Sequence, residues 1–161
     1  MASTVSGRER YMHGYEEWTR EWMAQRTASR ELAFLLPHLA PGMAVLDCGC
    51  GPGSITVGLA EIVAPGQVIG LDTEPRQLEA ARRLAQQRGL SNLRFEQGSV
   101  YELPFPDASF DVAVAHGVSL SDLDDVRLYL AELRPVARAV AQPPAPGSRR
   151  KVASPGGRAD A

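Results

Sequence analysis

The chain has 161 residues, of which 44% are apolar and 22% are charged, and its formal net charge is −2 at neutral pH. This length predicts one domain with a sizeable core, and the apolar fraction excludes wholesale disorder. The mildly acidic balance argues against nucleic acid as a partner, because phosphate binding needs a concentrated basic face. The sequence has no run of about 18 apolar residues, so no membrane partner is expected.

Residues 1–40 are predicted to be an N-terminal helical segment. Apolar side chains recur at roughly helical spacing between Glu16 and Leu39, and Pro37 and Pro41 close the pattern. The first residues carry charges where a signal peptide needs its apolar stretch. Nothing therefore argues for secretion, and we expect a cytoplasmic protein.

Residues 41–134 alternate short apolar runs with helical patterns. The strand candidates are Ala44–Leu46, Val68–Asp72, Asn92–Glu96 and Asp111–Ala115. The helix candidates are Ser54–Val63, Pro75–Arg88 and Asp122–Leu133. This order predicts an α/β fold, with a Rossmann-like, doubly wound and mostly parallel sheet and helices on both of its faces. Crossovers of this length are right-handed almost without exception.

Residues 135–161 do not continue this alternation. After Leu133 no further strand followed by a helix is predicted, and Pro, Gly and Ala dominate without apolar periodicity. The sheet is therefore expected to be truncated after about four strands, and the last residues are expected to be an atypical, disordered tail.

The strongest motif is the turn after the first strand, which we call the glycine loop. The strand runs into Asp47, and Gly49, Gly51 and Gly53 follow at alternate positions. Glycine suits positions where φ is positive or where a ligand approaches the backbone, and the helix that follows directs free N–H groups at the turn. Asp72 ends the next strand, 23 residues after Gly49, where its carboxylate can accept hydrogen bonds from a ribose diol. Together these features predict a nucleoside-containing cofactor.

The spacing G-x-G-x-G resembles motif I of the class I S-adenosylmethionine-dependent methyltransferases. The segments VIGLDTEPRQLEAAR and FEQGSVYELPFPDASFDVAVAHGV are similar to the later motifs of the small-molecule branch of that family. The resemblance implies S-adenosylmethionine as cofactor and a small molecule as methyl acceptor. A nicotinamide-dependent oxidoreductase is the less favoured alternative, because Ser54 stands where the dinucleotide pattern has its third glycine.

The resemblance also implies which residues touch each part of the cofactor. Those assigned to the methionine portion, by backbone contact or by orienting the loop, are Asp47, Gly49, Cys50 and Gly51. Asp72 is assigned to the ribose hydroxyls. Those assigned to the adenine, by flanking it or by bonding to its edge, are Thr73, Gln77, Ser99 and Val100.

His116 follows the fourth strand candidate, at the sheet edge where ligands bind in open α/β folds. Three roles stay open for its imidazole: a general base on the acceptor, a contact to the methionine portion, or a bond to backbone alone. No catalytic residue is therefore assigned from the sequence. Cys48 and Cys50 fall short of a tetrahedral metal site and of a disulfide framework, so no metal is expected.

The C-terminal part departs from the family pattern. A complete domain of that family has a seven-stranded sheet, and its order 3-2-1-4 leaves the fourth strand here at an open edge. An exposed apolar edge invites pairing with another chain, so self-association through that edge is expected. The truncation also keeps open a second hypothesis, a catalytically impaired cofactor-binding fragment or a partner subunit.

Overall fold

A computed structural model of the chain describes residues 17–116 and 133–141. Its strands are β1 (Val45–Cys48), β2 (Val68–Asp72), β3 (Leu93–Gln97), β4 (Phe110–Ala115) and β5 (Ala137–Ala141). Its helices are α1 (Glu17–Ala24), α2 (Ala28–Glu31), α3 (Ser54–Val63) and α4 (Pro75–Gln87), with a short 3-10 helix at Leu36–His38. None of the described helices is long and apolar enough to cross a membrane.

The strands form one parallel sheet in the order β3-β2-β1-β4-β5. Val45 of the central strand lies beside Val68 of β2 and beside Val112 of β4. Every residue of β1 and β2 is buried, as expected for parallel strands covered on both faces. The Rossmann-like α/β fold predicted from the sequence is confirmed.

The sheet has five strands, one more than the four that the sequence analysis identified. Ala137–Ala141, which the sequence analysis placed in a disordered tail, pairs in parallel with β4, and Val112 lies beside Ala139. This strand was missed because ARAVA has one β-branched residue and stands beside a proline-rich stretch, so its burial comes from tertiary packing rather than from propensity. Because β5 covers β4, the expected self-association through an open β4 edge loses its structural basis.

Two predictions fall partly outside the described residues. The predicted helix Asp122–Leu133 lies there except for its last residue, and residues 142–161 of the predicted tail lie there entirely. Residues 133–136 form a helical turn that leads directly into β5. Leu133 and Val136 of that turn are buried in the core.

Alternate residues of the strands face two separate layers of the core. Val45, Val68 and Val114 pack with α2 and α3 on one face, together with Leu32, Leu35, Leu59 and Val63. Leu46, Leu71 and Ala113 pack on the other face, together with Phe110, Leu133 and Val136. The period of two is the one that a pleated strand imposes, so the sheet separates two apolar layers.

The N-terminal segment is broken into short pieces rather than forming one long helix. Thr27 has an extended backbone, with φ −127° and ψ 151°, and its hydroxyl accepts a hydrogen bond from the Arg30 N–H at 3.4 Å. This is the geometry of a helix N-cap, which ends the α1 region and begins α2. The change of direction places Arg26 beside the carboxyl ends of the strands.

The attachment of β5 can be tested by placing a charge in the buried turn that precedes it. Val136 is 4% exposed, whereas Arg134, two residues earlier, is exposed. We expect Val136→Asp to lower the free energy of unfolding by roughly 3 kcal/mol, because it removes apolar burial and puts a carboxylate in the core. Arg134→Asp should leave stability within about 0.5 kcal/mol. Equal denaturation midpoints for the two variants would show that this turn and β5 are not docked.

Candidate functional site

The glycine loop has the backbone that its sequence predicts. Gly49, Gly51 and Gly53 have φ values of 70°, 55° and 80°, a region that other residues rarely adopt. A Cβ on Gly53 would lie 2.8 Å from the Ala81 Cβ, so the loop also packs closely against α4. The N–H groups of Gly49 and Cys50 both donate to the Leu71 carbonyl, at 2.7 and 3.0 Å. These bonds fix the loop against the end of β2.

Asp72 joins the glycine loop to the segment that follows β2. Its Oδ2 accepts the Gly51 N–H at 2.8 Å, and its Oδ1 accepts the Glu74 N–H at 2.9 Å. Burial raises the pKa of this carboxyl, and the backbone N–H bonds oppose that rise. A carboxylate has about four acceptor positions, so Asp72 holds the loop and keeps capacity for the hydroxyls of a ligand.

Asp47 is a buried acid on the α3 side of the sheet, and it is 2% exposed. Its Oδ2 accepts the Thr56 hydroxyl at 2.7 Å. Burial raises the pKa of Asp47 to about 7, and the charge of Asp72 adds to the rise. The Thr56 bond and the positive charge of Arg26 act in the opposite direction. Asp47 therefore titrates near neutrality and responds to any cation placed beside it.

The end of α1 covers the glycine loop. The Ser54 hydroxyl, at the start of α3, donates to the Met23 carbonyl at 2.7 Å. A Cβ on Gly51 would lie 2.9 Å from the Met23 Cε, so this side chain lies directly against the loop. The sequence analysis did not assign Met23 or Arg26 to the site. The signal that was available is Thr27, a favoured N-cap residue inside an apparently continuous helical pattern.

His116 belongs to a cluster with Arg26 and Glu31. Its Nε2 lies 3.3 Å from the Arg26 Nη2 and 3.3 Å from the Glu31 Oε2. The Arg26 guanidinium also lies over the ring of Trp22, with Cζ 5.3 Å from the ring centroid. Burial lowers the pKa of Arg26. The Arg26 Nε and the His116 Nδ1 are buried and have no hydrogen-bond partner among the described residues.

A small cleft lies between these parts. It is lined by Met23, Arg26, Asp47, Gly49, Cys50, Pro52, Ser54, Ile55 and His116. The structure thus brings His116 together with Asp47, Gly49 and Cys50 of the glycine loop, which the sequence analysis had assigned from two separate segments. Gly51 adjoins the cleft through the loop and carries the bond to Asp72.

The residues assigned to adenine lie in the segments that follow β2 and β3, with Gln77 in the first turn of α4. The Gly98 N–H donates to the Asp72 carbonyl at 3.0 Å, and the Gln97 side chain donates to the Thr73 carbonyl at 3.1 Å. The Ser99 hydroxyl accepts the Tyr101 N–H at 3.1 Å. The side chains of Gln77 and Val100 are buried, each 6% exposed. These residues do not line the cleft around Arg26.

The two cysteines are free and buried. Burial raises the pKa of both thiols, and the negative charge of Asp47 raises it further. Thiols with raised pKa values are poor nucleophiles at neutral pH, so Cys48 and Cys50 act as packing residues. Within residues 17–116 and 133–141, no group of three or more His, Cys, Asp or Glu side chains is placed to hold a metal ion.

The buried state of Asp47 predicts a pH dependence of stability. Between about pH 4 and pH 7 the folded chain keeps the proton on Asp47, whereas the unfolded chain has lost it. The unfolded state then binds fewer protons, so Asp47 makes the free energy of unfolding fall as pH rises, by roughly 4 kcal/mol at most across this window.

Asp47→Asn should remove this component, because an amide oxygen still accepts the Thr56 hydroxyl and carries no charge. The measurement is urea denaturation of both proteins between pH 4.5 and 8. The stability difference should move in favour of the variant as pH rises. Parallel curves over the whole range would contradict the assignment.

Comparisons with known proteins identify the family of the chain. Residues 39–158 match the family described as "Methyltransferase domain". An uncharacterised methyltransferase of Schizosaccharomyces pombe is 34% identical over 134 residues, which is 80% of this chain and 48% of that protein. The demethylmenaquinone methyltransferase of Lactiplantibacillus plantarum is 36% identical over 132 residues, 78% of this chain and 51% of that protein. The chain thus spans about half the length of the curated relatives it matches.

Solved structures show the same fold. The YcgJ protein of Bacillus subtilis superposes with a TM-score of 0.62 at 29% identity, covering 70% of this chain and 49% of that one. A SAM-dependent methyltransferase of Aquifex aeolicus superposes with a TM-score of 0.66 at 23% identity, covering 88% of this chain and 80% of that one, which supports the fold alone. With the family match over residues 39–158 and the glycine loop beside Asp72, the chain belongs to the class I S-adenosylmethionine-dependent methyltransferase family.

Proposed function

We propose that the chain binds S-adenosylmethionine at the carboxyl ends of β1, β2 and β4 and directs methyl transfer to a small molecule. The observation that carries this proposal is the bond from the Gly51 N–H to the Asp72 carboxylate, which joins the loop to the acid that ends β2. In open α/β sheets ligands bind at the carboxyl ends of the strands, at the point where the connections from two neighbouring strands run in opposite directions. β1 is that point here, since β2 and β4 flank it.

The residues present fit the three parts of the cofactor. Asp72 has acceptor capacity for the ribose hydroxyls, and the segment Gly98–Val100 adjoins it through the Gly98 N–H, which suits the adenine. Thr73 and Gln77 are proposed to flank the adenine, and Ser99 to bond to its edge. Gly49, Cys50 and Gly51 are proposed to present backbone to the methionine portion. Asp47, in the wall of the cleft, favours a cationic ligand.

The chemistry needs little from the protein beyond placement. S-adenosylmethionine supplies a methyl group on a sulfonium, which is already a good leaving group. The contribution of this chain is to hold the donor and the acceptor in line and to keep water out, which converts a bimolecular reaction into one within a complex. Met23 and Ser54 serve that purpose, since they close the loop side of the cleft.

The acceptor is proposed only as a small molecule. Some relatives are named demethylmenaquinone methyltransferases, so a quinone acceptor is one member of the class to test. His116 is not proposed as the general base, because its Nε2 lies beside Arg26 and Glu31. Those neighbours favour a role on the cofactor side of the cleft.

A second candidate function is cofactor binding without turnover by this chain alone. It is favoured by one observation, that the chain covers 48% and 51% of the two curated relatives described above. The proposed cofactor residues lie on β1 to β4 and on the segments that follow these strands. The two candidates agree on cofactor binding and differ on turnover.

The cofactor assignment is tested by calorimetry on the purified 161-residue chain. S-adenosylmethionine and S-adenosylhomocysteine should both bind more tightly than NAD. The G-x-G-x-G loop and the Asp72 carboxylate, which accepts the Gly51 and Glu74 N–H groups, suit a ligand with a single nucleoside. Ser54, which stands at the third-glycine position of the dinucleotide pattern, is engaged with Met23. Tighter binding of NAD than of either sulfur nucleoside would overturn the proposal in favour of a nicotinamide enzyme.

Removing the acid at the end of β2 tests the ribose contact. Asp72→Ala should weaken S-adenosylhomocysteine binding by about 1.5–3 kcal/mol, the range for hydrogen bonds to a charged group. Glu79→Ala is the matched control, because Glu79 is an exposed carboxylate on α4 that pairs with Arg83 at 2.8 Å. Thermal melts of both variants show whether the loop stays folded. Unchanged affinity in a folded Asp72→Ala protein would remove Asp72 from the site.

A further inference from the structure

Trp22 is an exposed tryptophan whose ring is held in place from one side. Its exposed fraction is 54%, and it is the single large apolar side chain that is exposed among the residues that the structure describes. The Arg26 guanidinium lies over its ring, with Cζ 5.3 Å from the ring centroid. A cation in this position is attracted by the π electrons of the indole. Arg26 therefore fixes the ring and leaves about half of its surface open to solvent.

The backbone beside Trp22 is fixed as well. The next residue, Met23, is buried, and its carbonyl accepts the Ser54 hydroxyl at 2.7 Å and the Arg26 N–H at 3.3 Å. The Trp22 carbonyl accepts the Gln25 N–H at 3.3 Å. These bonds hold the end of α1 against the start of α3. An aromatic ring that is already held in place loses little conformational freedom when a ligand packs on it.

Trp22 lies one side chain away from the cleft beside the glycine loop. Arg26, which contacts the indole, lines that cleft and lies 3.3 Å from His116, the residue that follows β4. Trp22 itself does not line the cleft. A methyl acceptor has to approach a donor in the cleft from outside it. The indole supplies an exposed apolar surface beside that approach.

The surroundings of Trp22 separate it from ordinary surface residues. Single exposed apolar side chains are common on proteins and need no ligand. Trp22 differs because it contacts an arginine whose side chain is only 10% exposed and which belongs to a candidate ligand site. The nearby side chains Glu21, Ala24 and Gln25 are exposed too, so they offer no second apolar wall. The ring of Trp22 is therefore the surface that a ligand would contact there.

The indole decides which ligand that surface prefers. Aromatic rings stack in offset or edge-to-face arrangements with centroids roughly 4.5–7 Å apart, and this stabilises them beyond the burial of their area. A flat aromatic or quinone ring can stack in this way. A saturated ring of the same size gains only the burial of its surface.

We propose that Trp22 binds the methyl acceptor by stacking against a flat aromatic or quinone ring outside the cleft. This inference rests on the proposed function, since it names the class of acceptor for the same site. Trp22 transfers no proton or electron. Its contribution is to place the acceptor beside the cleft, and its contact with Arg26 keeps the indole in the orientation that does so.

The test compares two probes that differ in planarity. 2-Naphthol and its fully saturated counterpart 2-decalol are titrated into the chain saturated with S-adenosylhomocysteine, and binding is followed by two-dimensional NMR of the amide and indole N–H groups. The wild type should bind 2-naphthol about 3- to 10-fold more tightly than 2-decalol. The Trp22 indole resonance, identified by its absence in Trp22→Phe, should shift with 2-naphthol. Trp22→Leu should lose most of the preference for the flat ring, and Trp22→Phe should keep part of it.

Glu21→Gln is the matched control. Glu21 is exposed on the same helix, precedes Trp22 directly and does not line the cleft. This variant should bind both probes as the wild type does. The affinity for S-adenosylhomocysteine should stay within about threefold of the wild type in every variant, because neither residue lines the cleft.

Each outcome decides a different question. If the wild type does not bind S-adenosylhomocysteine, the proposed function fails. If it binds S-adenosylhomocysteine but binds neither probe, or binds both probes equally, the stacking contact is wrong while the function stands. If Trp22→Leu keeps the preference, or weakens both probes and S-adenosylhomocysteine by the same factor, the inference is overturned. The comparison of the probes in the wild type needs no variant, so a misfolded Trp22→Leu protein still leaves the inference testable.

Discussion

The carboxylate of Asp72 is the interaction on which the candidate site depends. One oxygen holds the Gly51 N–H and the other holds the Glu74 N–H, so a single side chain fixes both the glycine loop and the start of α4. This geometry exists only because β1 and β2 are parallel and in register, with Cys48 beside Leu71. The buried sheet thus positions the site, and the site residues lie where the strands end.

The N-terminal segment completes the site from outside the sheet. α1 brings Met23 onto the glycine loop, and the break at Thr27 turns Arg26 into the cleft beside Asp47. The resulting pocket combines a backbone cradle, a buried acid and a buried guanidinium within one small volume. The buried acid and the buried guanidinium are each costly to bury alone. A ligand of complementary charge lowers that cost.

The sequence predicted the central strands and the glycine loop well because their signals are local. β2 and α3 have the predicted bounds. Gly53 precedes α3, and Pro65 and Gly66 separate it from β2, so the ends of both elements can be recognised in the sequence. β5 was missed because its alanines become buried only through packing against β4. Arg26 was missed because a helical spacing pattern does not reveal where a threonine caps a new helix. Tertiary contacts, rather than composition, decide both positions.

A crystal structure of the chain with S-adenosylhomocysteine tests the central claim most directly. The account predicts that the ribose hydroxyls lie within hydrogen-bond distance of the Asp72 carboxylate while the Gly51 N–H bond to it is kept. A ligand bound away from the ends of β1 and β2, or a ribose that does not touch Asp72, would contradict the account.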